Sequence, residues 1–203
     1  RRICRDCSAV TLVSESEVKL FDAAVTPGVA KSVTNGVDLD YFRRTEVSET
    51  DTGLVFVGAM DYRPNVDAAD WFAAEIWPRI HREFPSQRFQ IVGRNPTADV
   101  LKLNRIPGVE VVGTVPDVRD FVKRSAVSVA PLRIARGLQN KVLEALAMGR
   151  PVVASPQALA GFTPSVPAEV ARGPEEWVER LRSLLSSGET RRSLGERGRR
   201  FAE

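Results

Sequence analysis

Histidine and cysteine are almost missing from these 203 residues: His81 stands alone, and Cys4 and Cys7 are the only thiols. Two cysteines exclude a disulfide scaffold. Cys4-Arg5-Asp6-Cys7 has the spacing of half a zinc site, but one His does not complete the usual four ligands. A redox Cys-x-x-Cys opens a helix after a strand, and nothing precedes this pair. Both cysteines are therefore expected to be plain structural residues, with reduced thiols that suit the cytoplasm. Long apolar runs are missing too. Val127–Leu132 and Pro151–Ala154 are among the longest, far below the ~20 residues that span a bilayer. No secretory h-region follows Arg1 and there is no initiator Met, so the chain is expected to be a piece of a longer protein. No G-x-G-x-x-G follows a predicted strand and no Walker A sequence occurs, which argues against nicotinamide, flavin and P-loop nucleotide domains. Aromatics are 7% and do not alternate with basic residues, and the net charge is only +3, so a nucleic-acid partner is not expected.

What is present is an ordinary globular balance, 43% apolar and 27% charged, enough for one good core. The basic excess gathers in Arg180, Arg182, Arg191, Arg192, Arg197, Arg199 and Arg200. Glu175, Glu176, Glu179, Glu189 and Glu196 interleave with them, as on solvated helix faces laced with ion pairs. Short apolar runs alternate with helical patterns. Ala9–Val13 reads as a strand and Glu15–Ala24 as a helix capped by Ser14. Ser32–Thr34 runs into an Asn35-Gly36 turn, and Glu46–Thr52 reads as a loop. Leu54–Val57, Phe89–Val92, Val109–Val112, Val127–Ala130 and Pro151–Ala154 read as strands. Between and after them come helical patterns over Val66–Phe84 (interrupted at Pro78), Thr97–Asn104, Asp117–Ser125, Leu138–Met148, Pro174–Ser187 and Glu189–Ala202. Strands that are apolar throughout are covered on both faces. The fold class is therefore α/β, a doubly wound parallel sheet of Rossmann-like kind with right-handed crossovers.

Ligands in such sheets sit outside the carboxyl ends of the strands. Three strands there end in glycine, Gly58, Gly93 and Gly113, where a bare backbone can turn sharply or approach a ligand. The loop after Pro131 is richer. Gly137 sits at the mouth of a helix, so the N–H groups of Leu138, Gln139 and Asn140 are expected at the ligand edge, where a helix N-terminus binds phosphate. Lys141 lies in the first turn, and Arg133 and Arg136 flank the loop. Three cations and a helix N-terminus make an anion site, best suited to a diphosphate. Glu144 shares a face with Lys141. It suits the vicinal hydroxyls of a ribose, or else forms an ordinary Lys–Glu helix pair.

Glu144-Ala-Leu-Ala-Met-Gly-Arg-Pro-Val-Val-Ala154 resembles the motif of the family 4 (group 1) retaining glycosyltransferases of GT-B fold. So do Thr34-Asn35-Gly36-Val37-Asp38 with Phe42, Val57-Gly58, Ile91-Val92-Gly93 and Val112-Gly113. The resemblance covers nearly the whole chain. The Met60–Asn65 and Arg136–Lys141 runs are similar to a bacterial subgroup tied to exopolysaccharide synthesis. The resemblance implies one half of a GT-B fold: residues 1–30 end a missing N-terminal domain and its connection, and 31–203 bind a nucleotide sugar. It implies a UDP-, GDP- or ADP-sugar donor and no cofactor. The acceptor, a glycan or lipid-linked molecule, would be held by the missing domain, at the inner face of the membrane if the full-length protein associates with it. The isolated fragment would be inactive. The diphosphate role falls to Lys141 and Arg63, and donor contacts to Gly58, Gly93, Arg94, Val115, Gly137, Leu138, Gln139, Asn140 and Glu144. Where the family commonly has a Glu, eight positions before Glu144, this chain has Arg136. That side chain is expected either to turn to the diphosphate or to meet the carboxylate of a uronic acid donor. Asp38 and Asp61 read as turn residues, so no metal is expected. A binding module without catalysis is the alternative reading.

Overall fold

The computed structural model describes residues 7–25, 28–43, 53–163 and 165–203. Cys4 and the whole of the Glu46–Thr52 loop expectation lie outside them; Cys7 is exposed and free. Near the start, β1 (Val10–Leu12) and β2 (Ala30–Ser32) pair in parallel as a sheet of their own. They are bridged by α1 (Glu15–Ala24), whose N–H of Glu17 is capped by the Ser14 hydroxyl, as the sequence predicts. No residue of α1 is fully buried.

The main sheet contains β3 (Leu54–Val57), β4 (Phe89–Val92), β5 (Val109–Gly113), β6 (Val127–Ala130), β7 (Val152–Ala154) and β8 (Glu169–Val170). Its order is β5-β4-β3-β6-β7-β8 and every pairing is parallel. The central strands are buried along almost their whole length, so β3, β6 and β7 are apolar apart from Ser128 of β6. The chain builds outward from β3 to β5, then returns to lay β6 on the other side of β3. The winding direction therefore reverses between β3 and β6, and the crevice beyond their carboxyl ends is where such sheets hold ligands. β8, two half-buried residues long, was not expected: it is too short to show a period.

The helical stretch after β3 has three parts: α2 (Arg63–Trp71), a π-turn (Phe72–Ile76) and α3 (Trp77–Glu83). Pro78 stands in the first turn of α3, where its missing N–H costs nothing, and the wider π-turn accommodates the ring. Trp177 packs edge-on against Phe72 at 5.5 Å, and Trp77 donates from Nε1 to the Pro107 carbonyl at 2.8 Å. Shorter helices follow: α4 (Ala98–Lys102), α5 (Arg119–Arg124), α6 (Asn140–Ala147) and α7 (Pro156–Leu159). Then come α8 (Pro174–Ser186) and α9 (Gly188–Ala202).

The charged tail pairs differently from a simple laced surface. Arg182 forks onto Glu83 at 2.6 and 2.7 Å, and Glu175 receives Arg79 at 3.1 Å, so the ion pairs tie α8 to α3. Arg191, expected on the surface, is only 5% exposed and donates to the Leu184 carbonyl at 2.8 Å. α9 lies close on α6, because a side chain at Gly198 would come within 2.8 Å of Leu146. Arg199 donates to the Ala147 carbonyl at 2.8 Å, which holds the C-terminal end of α6 in place. Among the described residues no helix is long and apolar enough to cross a membrane.

Candidate functional site

The crevice between β3 and β6 is floored by bare backbone. Gly93, at the end of β4, has φ +149°, and a Cβ there would fall inside the Gly58 carbonyl. A Cβ at Gly58 would lie 2.6 Å from Nδ2 of Asn65 and 3.0 Å from Nζ of Lys141. Glycine is therefore demanded by close approach at both strand ends.

Asn65, in the second residue after Arg63 on α2, is 6% exposed and holds the centre of the site. Its Nδ2 donates to the Ala59 carbonyl at 2.9 Å, which fixes the amide orientation. Its Oδ1 then accepts from Lys141 Nζ at 2.6 Å. The ammonium also lies 4.6 Å from the centre of the Phe56 ring, a cation–π contact. Burial pushes Lys141 down to about 8, against a smaller upward pull from the Glu144 carboxylate. Glu144 is itself pushed up by burial, with the Lys141 charge opposing. No ion pair joins the two: the ammonium turns to Asn65, and among the described residues nothing donates to the Glu144 carboxylate. The ordinary helix pair expected from spacing is not formed.

α6 starts two residues later than the sequence pattern implies. Gln139 is extended (φ −90°, ψ 103°), and its carbonyl accepts from Val142 N at 3.0 Å. Asn140 and Lys141 therefore open the helix, while Leu138 and Gln139 belong to the approaching loop. No described carbonyl accepts from the N–H groups of residues 138–141, so they remain available to an anion. The loop is held on both sides. A Cβ at Gly161 would come within 2.5 Å of the Gly137–Leu138 peptide, and Gly137 itself has φ +64°. Asn35 Nδ2 donates to Asn140 Oδ1 at 2.9 Å, bringing the Thr34-Asn35-Gly36 turn across to the helix mouth.

The remaining predicted residues scatter. Arg136 is exposed; its carbonyl accepts from Gln139 Nε2 at 3.0 Å and its guanidinium has no partner among the described residues. Arg63 opens α2, is exposed, and lines a cavity with Asp67, Asp70, Asp99 and Lys102 that no other predicted site residue reaches. Arg94 is exposed, with its carbonyl accepting from Met60 N at 2.8 Å, and Val115 is half-buried against the core. Arg133, expected beside the anion, is instead forked onto Asp67 of α2 at 2.5 and 2.9 Å. Asn65 was missed by sequence reasoning; its only signal was its place in the Met60–Asn65 run. Asp38-Leu39-Asp40 has the spelling of an Asp-x-Asp cation site, but Asp38 Oδ1 accepts from the N–H groups of Asp40 (3.0 Å) and Tyr41 (2.8 Å), the turn role expected of it.

Lys141 and the open N–H groups at the start of α6 thus meet at the switch point of a Rossmann-like sheet. The chain belongs to the group 1 glycosyl transferases, whose family model matches residues 51–187. Its fold is similar to that of HepE (Alr3699) from Anabaena in complex with UDP, with a TM-score of 0.74 and 14% identity over 97% of this chain and 59% of that one. It is also similar to a TarM mutant from S. aureus in complex with fondaparinux, alpha-GlcNAc-glycerol and UDP (TM-score 0.80, 14% identity, 97% of this chain, 41% of that one). A third likeness is to WaaG, a glycosyltransferase involved in lipopolysaccharide biosynthesis (0.72, 18%, 95% and 57%). The chain thus spans between 41% and 59% of the length of these structures, and shares with them the α/β arrangement of GT-B glycosyltransferases. No curated protein sequence matches it.

Proposed function

We propose that this chain is the donor-binding, C-terminal half of a family 4 glycosyltransferase that transfers a sugar from a nucleoside diphosphate with retained configuration and without a divalent cation. The observation that carries this reading is Lys141: a buried ammonium, aimed by Asn65, beside unpaired N–H groups at the start of α6. Breaking the anomeric C–O bond places charge on the departing diphosphate. A fixed ammonium and backbone donors stabilise that charge most where water is excluded, which is electrostatic catalysis. The UDP complex of HepE supports a nucleotide ligand for this fold. Arg136, an unpaired guanidinium next to the loop, adds a cation there, and Arg63 serves only if its side chain leaves the α2–α4 cavity. Gly58, Gly93, Arg94 and Val115 border the nucleoside, and Gly137–Asn140 the diphosphate and sugar. The acceptor, a glycan or lipid-linked molecule of bacterial exopolysaccharide or other cell-surface synthesis, belongs to the other half of the protein. The whole enzyme works in the cytoplasm, at the inner membrane face where the acceptor is lipid-linked, and this half alone does not turn over. Activity of the whole enzyme is expected to survive EDTA; loss on chelation with recovery on adding magnesium or manganese would overturn the metal-free assignment.

Glu144 separates the two roles its position allows. Its carboxylate is free of Lys141 and half-buried one turn along α6, so it is proposed to accept from ribose hydroxyls. Glu144→Gln should then weaken nucleoside diphosphates by about 1–3 kcal/mol while leaving inorganic pyrophosphate nearly unchanged. Calorimetric titration with both ligands tests this; equal weakening would make Glu144 an electrostatic partner of Lys141 only.

A further inference from the structure

Glu17 belongs to α1, outside the main sheet, yet its carboxylate lies at the mouth of α6. Its Oε1 is 3.3 Å from the point where a side chain at Gly137 would begin, and Val13 Cγ2 is 3.2 Å from the same point. A side chain at position 137 would therefore crowd Val13 and the end of the Glu17 side chain. The Glu17 carboxylate is half-buried, it is in no ion pair, and among the described residues nothing donates a hydrogen bond to it. With no protein donor and part of its surface open, the Glu17 carboxylate is free to accept hydrogen bonds from a ligand beside it.

The layout of the loop says which part of the ligand supplies them. Along α6 and its approach, the order is Glu144, Lys141, then Gly137. A nucleoside diphosphate sugar laid on that line has its ribose at Glu144 and its diphosphate at Lys141 and the helix N-terminus. Whatever hangs from the far phosphate then lies near Gly137, beside the Glu17 carboxylate. A phosphate is the wrong neighbour for a carboxylate; a ring of hydroxyls is the right one. The surroundings of Gly137 are otherwise cationic, with Arg136 adjacent and Lys141 one turn on.

Resting on the nucleotide-sugar reading above, we propose that Glu17 of α1 is a donor-sugar residue, accepting hydrogen bonds from sugar hydroxyls over Gly137. The sugar is thus gripped by a helix that does not belong to the main sheet. The connection between the two halves of the protein takes part in donor recognition, and a neutral, hydroxyl-bearing hexose fits this contact better than a uronic acid, whose carboxylate would face Glu17.

The test compares each bare diphosphate with its sugar-bearing partner: UDP with UDP-glucose, GDP with GDP-mannose, ADP with ADP-glucose. Calorimetric titrations use the parent chain, Glu17→Ala and Glu17→Gln, with thermal melts to verify that each variant is folded. Glu17 is on a helix without buried residues, so both variants are expected to fold. The parent should bind the preferred sugar nucleotide more tightly than its bare diphosphate. Glu17→Ala should weaken the sugar nucleotide by about tenfold or more, the effect of a hydrogen bond to a charged group. It should leave the bare diphosphate unchanged or slightly tighter, and Glu17→Gln should fall between. Equal weakening of both ligands would make Glu17 a cap of the α6 approach and overturn the proposal. So would a sugar increment that persists in both variants, or that is missing from the parent. A parent that binds none of the six ligands would instead overturn the underlying nucleotide-sugar reading, and this proposal with it.

Discussion

Replacing Lys141 by alanine is expected to weaken nucleoside diphosphate binding by about 1–3 kcal/mol, or about 5- to 150-fold, the range for a hydrogen bond made by a charged group. The fold should tolerate the loss. Lys141 in the empty site is a costly cation: burial already holds it down at about 8, well below the usual lysine value of 10.5. Removing it leaves Asn65 Oδ1 without its donor, whereas Asn65→Ala leaves the ammonium without its acceptor and the Ala59 carbonyl without its donor. The two variants therefore differ in kind. Lys141→Ala removes the charge; Asn65→Ala leaves the charge but lets the ammonium wander, so its effect on diphosphate affinity should be milder. Lys141→Arg keeps the charge at every working pH, although the larger guanidinium must fit beside Gly58. Titration of all three against UDP, GDP and ADP checks the ranking. Equal affinity in Lys141→Ala and parent would remove Lys141 from the site.

Gly93→Ala should destabilise the protein by about 2–6 kcal/mol, combining steric overlap and a backbone conformation that residues with a Cβ rarely adopt. The new methyl would fall on the Gly58 carbonyl, and φ at this position is +149°. Either β3 and β4 must part at their carboxyl ends, or the loop after Gly93 must move, and both changes open the floor on which Lys141 sits. Gly36→Ala is the control: a Cβ there meets nothing within 4 Å, so a change within about 0.5 kcal/mol is expected, as for most surface substitutions. Urea unfolding of the two variants measures the contrast. A Gly93→Ala protein as stable as Gly36→Ala would mean that the strand ends do not approach as described.

The central sheet was legible because parallel strands buried on both faces are mostly apolar: β3 and β7 are so at every position, and Gln90 of β4 and Ser128 of β6 are single polar exceptions. Their switch point could not be read from periodicity, since strand order is a matter of crossovers. The helix of the proposed anion site was legible but its start was not: Leu138 continues the apolar rhythm, while the extended backbone at Gln139 delays the first turn to Asn140. Lys141 stood out in the sequence because it is a cation in the first turn of a helix that follows a glycine. Its partner was not, because the Asn65 contact joins residues 76 positions apart and the i,i+3 spacing to Glu144 offered a nearer candidate. Arg133 misled for the same reason. Sequence proximity placed it at the anion loop, and a bidentate fork onto Asp67 takes it away. Glu17 was invisible until α1 was seen folded against Gly137.

The pH dependence of diphosphate binding tests the account most directly, because it follows the Lys141 proton itself. A bound diphosphate favours the ammonium, whereas without it the group is half deprotonated at about pH 8. Binding above that pH must therefore take up a proton. Affinity should be nearly flat between about pH 6.5 and 7.5, then fall by up to about tenfold for each further pH unit. Heats measured at pH 8.5 in two buffers of different ionisation enthalpy should report uptake of most of one proton in the parent and almost none in Lys141→Arg. Failure of UDP, GDP and ADP all to bind, or binding with no proton uptake in the parent, would contradict the assignment of Lys141 to the diphosphate.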